Sequence, residues 1–370
     1  MTEPAIPTVD LADLAPDAGP EARARALNAV REGFATFGLV YAKNHGVGDI
    51  AQLYDRFVQV CELPRALKDR YNRDDLWYQR GWTPPETEKA VVGSGQPDFK
   101  ECWFAAPHEG SASSQLLYPE IFANNVWPEE DGIDTTGFAA SYLAAGGELH
   151  AAGLKLLEAA ALALELPADA LTSVSEGGAH VFRMLRYLPL TDAQTKQNIL
   201  WGEEHTDFNL LTLLPGGRFH DPSGVIAPPP DAGSGLYLRT RPTVEHPEGL
   251  KVKGTAPPGC IVAQVGQMLE ILTGGTFLAT PHVVTAPHTP GWSRLSAAHF
   301  VHVHPDTVLF PRPEFRTPET ILAYRPPVLA GTYAIKTLVD IGLAPANAIE
   351  RLGYRHYDRL GTIRATEATR

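Results

Sequence analysis

His205 and Asp207 stand two residues apart in the run Gly202–Leu214, GEEHTDFNLLTLL. The alternating apolar residues that follow predict a strand, and in a strand side chains i and i+2 share one face. An imidazole and a carboxylate are therefore expected to project together, a pairing that suits a divalent metal. Candidates for a third ligand are His220, His246, His282, His288, His299, His302 and His304. His282 is the best placed, on an apolar segment after the Gly274-Gly275 turn, where a returning strand can face the first two. Two histidines and one carboxylate on a triangular face leave positions open, as non-haem Fe(II) that activates O2 requires. Zinc hydrolysis is the competing metal chemistry, but its usual HExxH helix is absent. His302 and His304 alternate with Val301 and Val303 and are expected to face solvent. His45, at the end of an extended segment, is expected to be structural.

Arg294 and Ser296 form an R-x-S pair on the strand expected after His282. Period 2 puts both on one face, where a guanidinium can grip a carboxylate bidentately and a hydroxyl adds a donor. A metal site beside such a pair suggests a bound carboxylic acid. The segment HVFRMLRYLP, residues 180–189, reads as another strand with Val181, Arg183, Leu185 and Tyr187 on one face. An arginine turned inward needs an anionic partner, either an internal carboxylate or a ligand.

Elements must then position these groups. Helical spacing covers residues 21–37, 48–63 and 141–166, with a last helix over 329–343. Between them come many short strands separated by turn signals, including residues 38–42, 235–239, 260–265, 276–284 and 294–303. The chain contains 32 prolines and 33 glycines, which favour such a strand-rich body. Residues 72–104 and 215–234 read as irregular loops near a site, the second as part of a lid. The length of 370 residues fits one large elaborated domain: a helix-rich part over 1–178, a strand-rich core over 179–310, and a helix and tail over 311–370.

The net charge of −12 has no basic stripe to offset it, which argues against nucleic acid or an anionic membrane as partner. Cys61, Cys102 and Cys260 are scattered and odd in number, so neither a disulfide framework nor a thiolate zinc site is expected. The opening residues are acidic and Pro-rich, and no stretch reaches the ~18 apolar residues of a membrane span. A cytoplasmic location is expected, and the oligomeric state is not legible.

The ordered set HTD, GG with TPHV, then RLS resembles the Fe(II)/2-oxoglutarate-dependent dioxygenases of the isopenicillin N synthase-like family. The strings IPTVDL, GFATFGLVYAKNHGV, RMLRYLP, HTDFNLLTLL, GLYLR and GGTFLATPHVV carry the likeness over most of the chain. The resemblance implies a mainly β fold with flanking helices and a double-stranded β-helix (jelly-roll) core. It implies iron on His205, Asp207 and His282, and the distal carboxylate of 2-oxoglutarate on Arg294 and Ser296. It further implies O2 as co-substrate and oxidation of a small molecule by hydroxylation, desaturation or cyclisation, with release of succinate and CO2. An oxidase of the same family that uses no 2-oxoglutarate is the alternative, and a non-catalytic metal-binding β-barrel protein is a minor one. Through GQPDFKECW, RMLRYLP and LTGGTFLATPH the layout is similar to that of bacterial members of the ethylene-forming type, which would put Arg183 and Tyr187 near the 2-oxoglutarate. Members of that type carry an arginine-binding acidic residue before the PDF string. Val91 stands there in this chain, so an apolar or different substrate is expected, with Val91, Phe99 and Phe208 as substrate-side candidates. Gln267 replaces the family's usual aspartate and is expected to be structural.

Overall fold

Alternating burial along the strands builds two facing sheets in a computed structural model of the chain, which describes residues 5–89, 98–196, 200–242 and 246–351. The strands are β1 (Thr8–Asp10), β2 (Leu39–Lys43), β3 (Gly81–Thr83), β4 (Lys100–Ala105), β5 (Val181–Tyr187), β6 (Gly202–His205) and β7 (Leu211–Leu214). There follow β8 (Gly217–His220), β9 (Ile226–Ala227), β10 (Gly235–Arg239), β11 (Lys251–Lys253), β12 (Cys260–Val265), β13 (His282–Thr285) and β14 (Ser293–Val301). The larger sheet runs β1-β2-β12-β7-β14-β5-β4-β3, with β8 and β9 attached beside β14. The smaller runs β11-β10-β13-β6. This is the expected jelly-roll core with flanking helices.

The larger sheet is buried on both sides, and period 2 sorts its residues. Phe182, Met184, Leu213, Ala297 and Val301 face the helices, while Val181, Leu185, Tyr187 and Ala298 face the smaller sheet. The long helix Thr135–Ala163 covers the first face, starting where the Asp134 carboxylate accepts the Gly137 N–H at 2.9 Å. Its Leu149, Leu156 and Leu157 are fully buried. Each contributes about 1.5–3 kcal/mol by leaving water. Gly153 lets the helix approach closely: a Cβ there would lie 3.0 Å from Leu213 and 3.2 Å from Val301. No described helix is long and apolar enough to cross a membrane.

Several expectations change. The run 276–284 yields a strand only over His282–Thr285, after a short helix, Gln267–Leu272. Residues 215–234 are no lid: β8 and β9 pair there, and β8 extends the sheet beside β14. His302 is buried, not solvent-facing, and packs against Phe208 with ring centroids 5.2 Å apart. His45 is structural as expected, its Nδ1 accepting the Val47 N–H at 3.0 Å.

The helix-to-sheet seam holds a cluster of histidines. His150 Nδ1 lies 3.1 Å from His299 Nε2, and the His150 ring lies 4.3 Å from His180 and 4.6 Å from His108. Burial holds His150 and His302 down at about 4, and pushes His180 and His299 well below the usual histidine value. At neutral pH folded and unfolded chains both keep these rings neutral. Below the unfolded value of 6.5 only the unfolded chain gains protons, so stability falls as pH drops from there to about 4. The urea midpoint is expected to decline between pH 6.5 and 5, above the range where carboxylates titrate. A midpoint that stays flat over that window would contradict this account.

Candidate functional site

Asp207 does not sit on a strand. β6 ends at His205, and Thr206–Phe208 form an irregular corner before β7. His205 and Asp207 are neighbours as strand alternation implies, but a corner and not a strand brings them together. The corner is fixed from behind by the helix Gln267–Leu272, whose first N–H, on Gln267, donates to the Asp207 carbonyl at 2.8 Å. The Gln267 amide also donates to Thr206 Oγ1 at 2.5 Å and accepts from Tyr333 Oη on the helix Ala330–Asp340. Gln267 is structural, as expected, and ties the corner to the last long helix.

β13 pairs antiparallel with β6 and sets His282 directly opposite His205. The two rings lie 4.3 Å apart. Their Nε2 atoms lie 3.7 Å and 3.9 Å from Asp207 Oδ1. Among the described residues these three form the one cluster whose ligand atoms all fall within 4.8 Å of one another. Burial raises the Asp207 pKa, but His282, His205, the Thr212 hydroxyl and Arg183 outweigh it, and the net shift is downward. Burial lowers the His282 pKa, and His205 lowers it further. The result at neutral pH is an ionised carboxylate beside a neutral imidazole, the donor states that metals bind.

The outward atoms are free because the inward ones are held. His205 Nδ1 donates to the Glu203 carbonyl at 2.7 Å. Thr212 Oγ1 donates to Asp207 Oδ2 at 2.7 Å. His282 Nδ1 lies 2.6 Å from the Gln264 side-chain amide. An amide has two orientations of equal shape. The one that turns Oε1 toward the ring lets Nδ1–H donate and leaves Nε2 as the metal acceptor. It also uses an oxygen that otherwise has no partner. Gln264 and Thr212 are cross-strand neighbours of β12 and β7, both 1 % exposed, so one rung of the larger sheet braces two of the three groups. Each is a lone polar residue in an apolar strand, CIVAQV and LTLL, a signal that the motif reading passed over.

Arg294 and Ser296 lie on β14 facing the smaller sheet, with Arg294 opposite Tyr187 of β5. The Arg294 guanidinium stands 5.6 Å from the Tyr187 ring centre and 5.8 Å from that of Phe219. Tyr187 itself stacks on Trp201 at 5.4 Å. Arg294 has no ion pair among the described residues, which leaves an aromatic-walled cation facing inward. Gly217 makes room for it, since a Cβ there would lie 2.6 Å from Arg294 Nη2. Arg183 shares the inner face, but its partner is internal: Nη2 lies 2.8 Å from Glu88 Oε2.

A cavity of about 540 Å³ opens beside His205 and Asp207. Phe208 and Arg183 line it, as does His302, which is turned inward rather than to solvent. Phe99 is not among its lining residues and packs near Tyr187 and Leu190 instead. Val91 lies outside the described residues. Neither Glu88 nor the helix Ala330–Asp340, which covers the cavity through Tyr333 and Leu338, was singled out by motif. Glu88 carries no spacing signal at all.

Comparison with known proteins agrees with this geometry. Residues 180–303 match the 2OG-Fe(II) oxygenase superfamily, and residues 6–130 match the N-terminal family described as non-haem dioxygenase in morphine synthesis. The chain is 28% identical over 354 residues to the 2-oxoglutarate-dependent dioxygenase imqE of Aspergillus flavus, covering 87% of this chain and 90% of that one. It is 28% identical over 291 residues to ecdK of Aspergillus rugulosus, also a 2-oxoglutarate-dependent dioxygenase, covering 73% of this chain and 78% of that one. In fold it is similar to a full-length Neurospora crassa protein solved in complex with alpha-KG, with a TM-score of 0.72 and 21% identity over 90% of this chain and 96% of that one. A putative 2OG-Fe(II) oxygenase family protein from Caulobacter crescentus gives 0.70 and 25% identity, over 91% and 99%.

Loss of the bracing groups should weaken metal binding without touching a ligand. Gln264→Leu and Thr212→Val are each expected to weaken Co(II) binding about 10–100-fold. Titration calorimetry measures this, and wild-type affinity in both variants would contradict the bracing role.

Proposed function

We propose that His205, Asp207 and His282 hold iron and that Arg294 and Ser296 hold the distal carboxylate of 2-oxoglutarate, from the premise that the chain, with its 2OG-Fe(II) oxygenase superfamily domain, is a non-haem iron, 2-oxoglutarate-dependent dioxygenase acting on a small molecule. The observation that carries the reading is the convergence of both imidazole Nε2 atoms on Asp207 Oδ1, with every inward atom of the three already engaged. Two imidazole nitrogens and a carboxylate oxygen fit Fe(II). With O2 and 2-oxoglutarate the iron supplies the oxidising chemistry, and succinate and CO2 leave as co-products.

The residues of the chain do the rest. Thr212 and Gln264 orient Asp207 and His282. Arg294 offers a guanidinium with no ion pair among the described residues, and Ser296, 8 % exposed, offers a hydroxyl on the same face. The aromatic walls of Tyr187, Phe219 and Trp201 exclude water from that ion pair and strengthen it. Phe208 and His302 form the substrate side of the corner. The helix Ala330–Asp340 closes the cavity and shields the reacting bond from bulk water. An oxidase working without 2-oxoglutarate would leave Arg294 to a substrate carboxylate, and O2 uptake with and without 2-oxoglutarate separates the two readings.

Purified protein with Fe(II) is expected to convert 2-oxoglutarate to succinate. Arg294→Ala should raise the KM for 2-oxoglutarate about 100-fold, since removing a charge-assisted bond of about 3 kcal/mol costs that much in binding. Gly217→Ala should raise it by crowding the same guanidinium, while Co(II) affinity stays unchanged. Succinate formation unaffected by Arg294→Ala would sink the assignment.

A further inference from the structure

The cavity wall beside the proposed iron site carries four charged side chains, and they answer one another. Arg183 Nη2 lies 2.8 Å from Glu88 Oε2, and Lys100 Nζ lies 2.9 Å from the same oxygen. Lys100 Nζ also lies 2.5 Å from Asp98 Oδ2. Their side chains are between 7% and 13% exposed, and their formal charges sum to zero. Burial raises the Glu88 pKa, but Arg183 and Lys100 prevail and draw it down to about 2, so the carboxylate is ionised at any physiological pH. Phe104, Ile121, Val181, Phe208, Phe300 and Leu338 make much of the remaining inner lining apolar, beside the uncharged polar groups of Gln79, Asn209 and Gln267 and the His302 ring. At the mouth, Glu204 pairs with Arg239 and Lys336 with Asp340, which leaves the exposed Lys89 as the cation without an ion pair among the described lining residues.

We infer that the part of the substrate lodged against this wall is uncharged and largely apolar, and that Glu88 determines this by occupying both Arg183 and Lys100. The inference rests on the proposed placement of the iron and 2-oxoglutarate. A carboxylate or ammonium entering here would meet a wall with no unpaired counter-charge, and a buried charge without a partner is costly. A neutral molecule gives up little on entry and gains from the apolar lining. Removing the Glu88 charge leaves the wall with one excess cation, and the selectivity should turn toward anions.

The test uses Co(II)-loaded protein saturated with 2-oxoglutarate, so that Arg294 is already occupied. Phenylacetamide, phenylacetate and benzylammonium share size and ring but differ in charge, and their dissociation constants are measured by calorimetry. The wild-type protein is expected to bind phenylacetamide at least tenfold more tightly than either ion. In Glu88→Gln the ratio of phenylacetate to phenylacetamide affinity should rise tenfold or more. The double variant Glu88→Gln/Arg183→Gln restores balance and should return the ratio toward the wild-type value. Wild-type binding of either ion as tightly as the amide, binding of none of the three, or an unchanged ratio in Glu88→Gln overturns the inference. If Glu88→Gln does not fold, the wild-type comparison decides alone. Failure of Co(II) or 2-oxoglutarate to load would instead overturn the functional reading beneath it.

Discussion

A carboxylate held between two imidazoles is the constraint on which the rest of the structure depends. Asp207 stays ionised in a low-dielectric corner because His205 and His282 face it and Thr212 donates to it. Such a group is costly to bury and is tolerated only where its surroundings fix its partners. The partners are fixed by sheet register: β13 against β6 sets the two histidines opposite each other, and β7 against β12 sets Thr212 beside Gln264. A slip of one residue in either pairing would turn these side chains to the opposite face.

The inner face of the larger sheet carries two kinds of charge. On β14 Arg294 stands among aromatic rings with no ion pair among the described residues. On the adjoining β5 and β4, Arg183 and Lys100 are neutralised by Glu88 and Asp98. The unpaired cation suits an acidic co-substrate and the neutralised pair an uncharged group, so electrostatics on neighbouring strands can sort the two. The long helix Thr135–Ala163 and the histidine seam beneath the larger sheet carry packing rather than chemistry, although His302 spans both roles.

The candidate metal trio, the R-x-S pair and the inward face of β5 are legible because strand periodicity and residue type coincide there. Asp207 shows the limit of that logic, since its corner is made by the helix Gln267–Leu272, far later in the chain, and not by local alternation. Arg183 was recognisable as a cation in need of an anion, but which anion depended on a long-range contact with Glu88, a residue with no motif around it. His302 reads as solvent-facing in the sequence yet is buried, because alternation with valines does not say which side is covered. Gln264 and Thr212 carried a weak signal, a polar side chain alone in a buried strand, that only the packed sheet turns into a role. The Pro/Gly-rich segment 215–234 reads as the cover over the cavity, whereas the helix Ala330–Asp340 supplies it.

The most direct measurement of the central claim is anomalous diffraction at the iron edge from crystals grown anaerobically with Fe(II) and 2-oxoglutarate. The account predicts one iron peak about 2.0–2.2 Å from Nε2 of His205, Nε2 of His282 and an Asp207 carboxylate oxygen, with the dicarboxylate extending from it to Arg294. A peak at the histidine seam around His150 and His299, or 2-oxoglutarate bound away from Arg294, would contradict it.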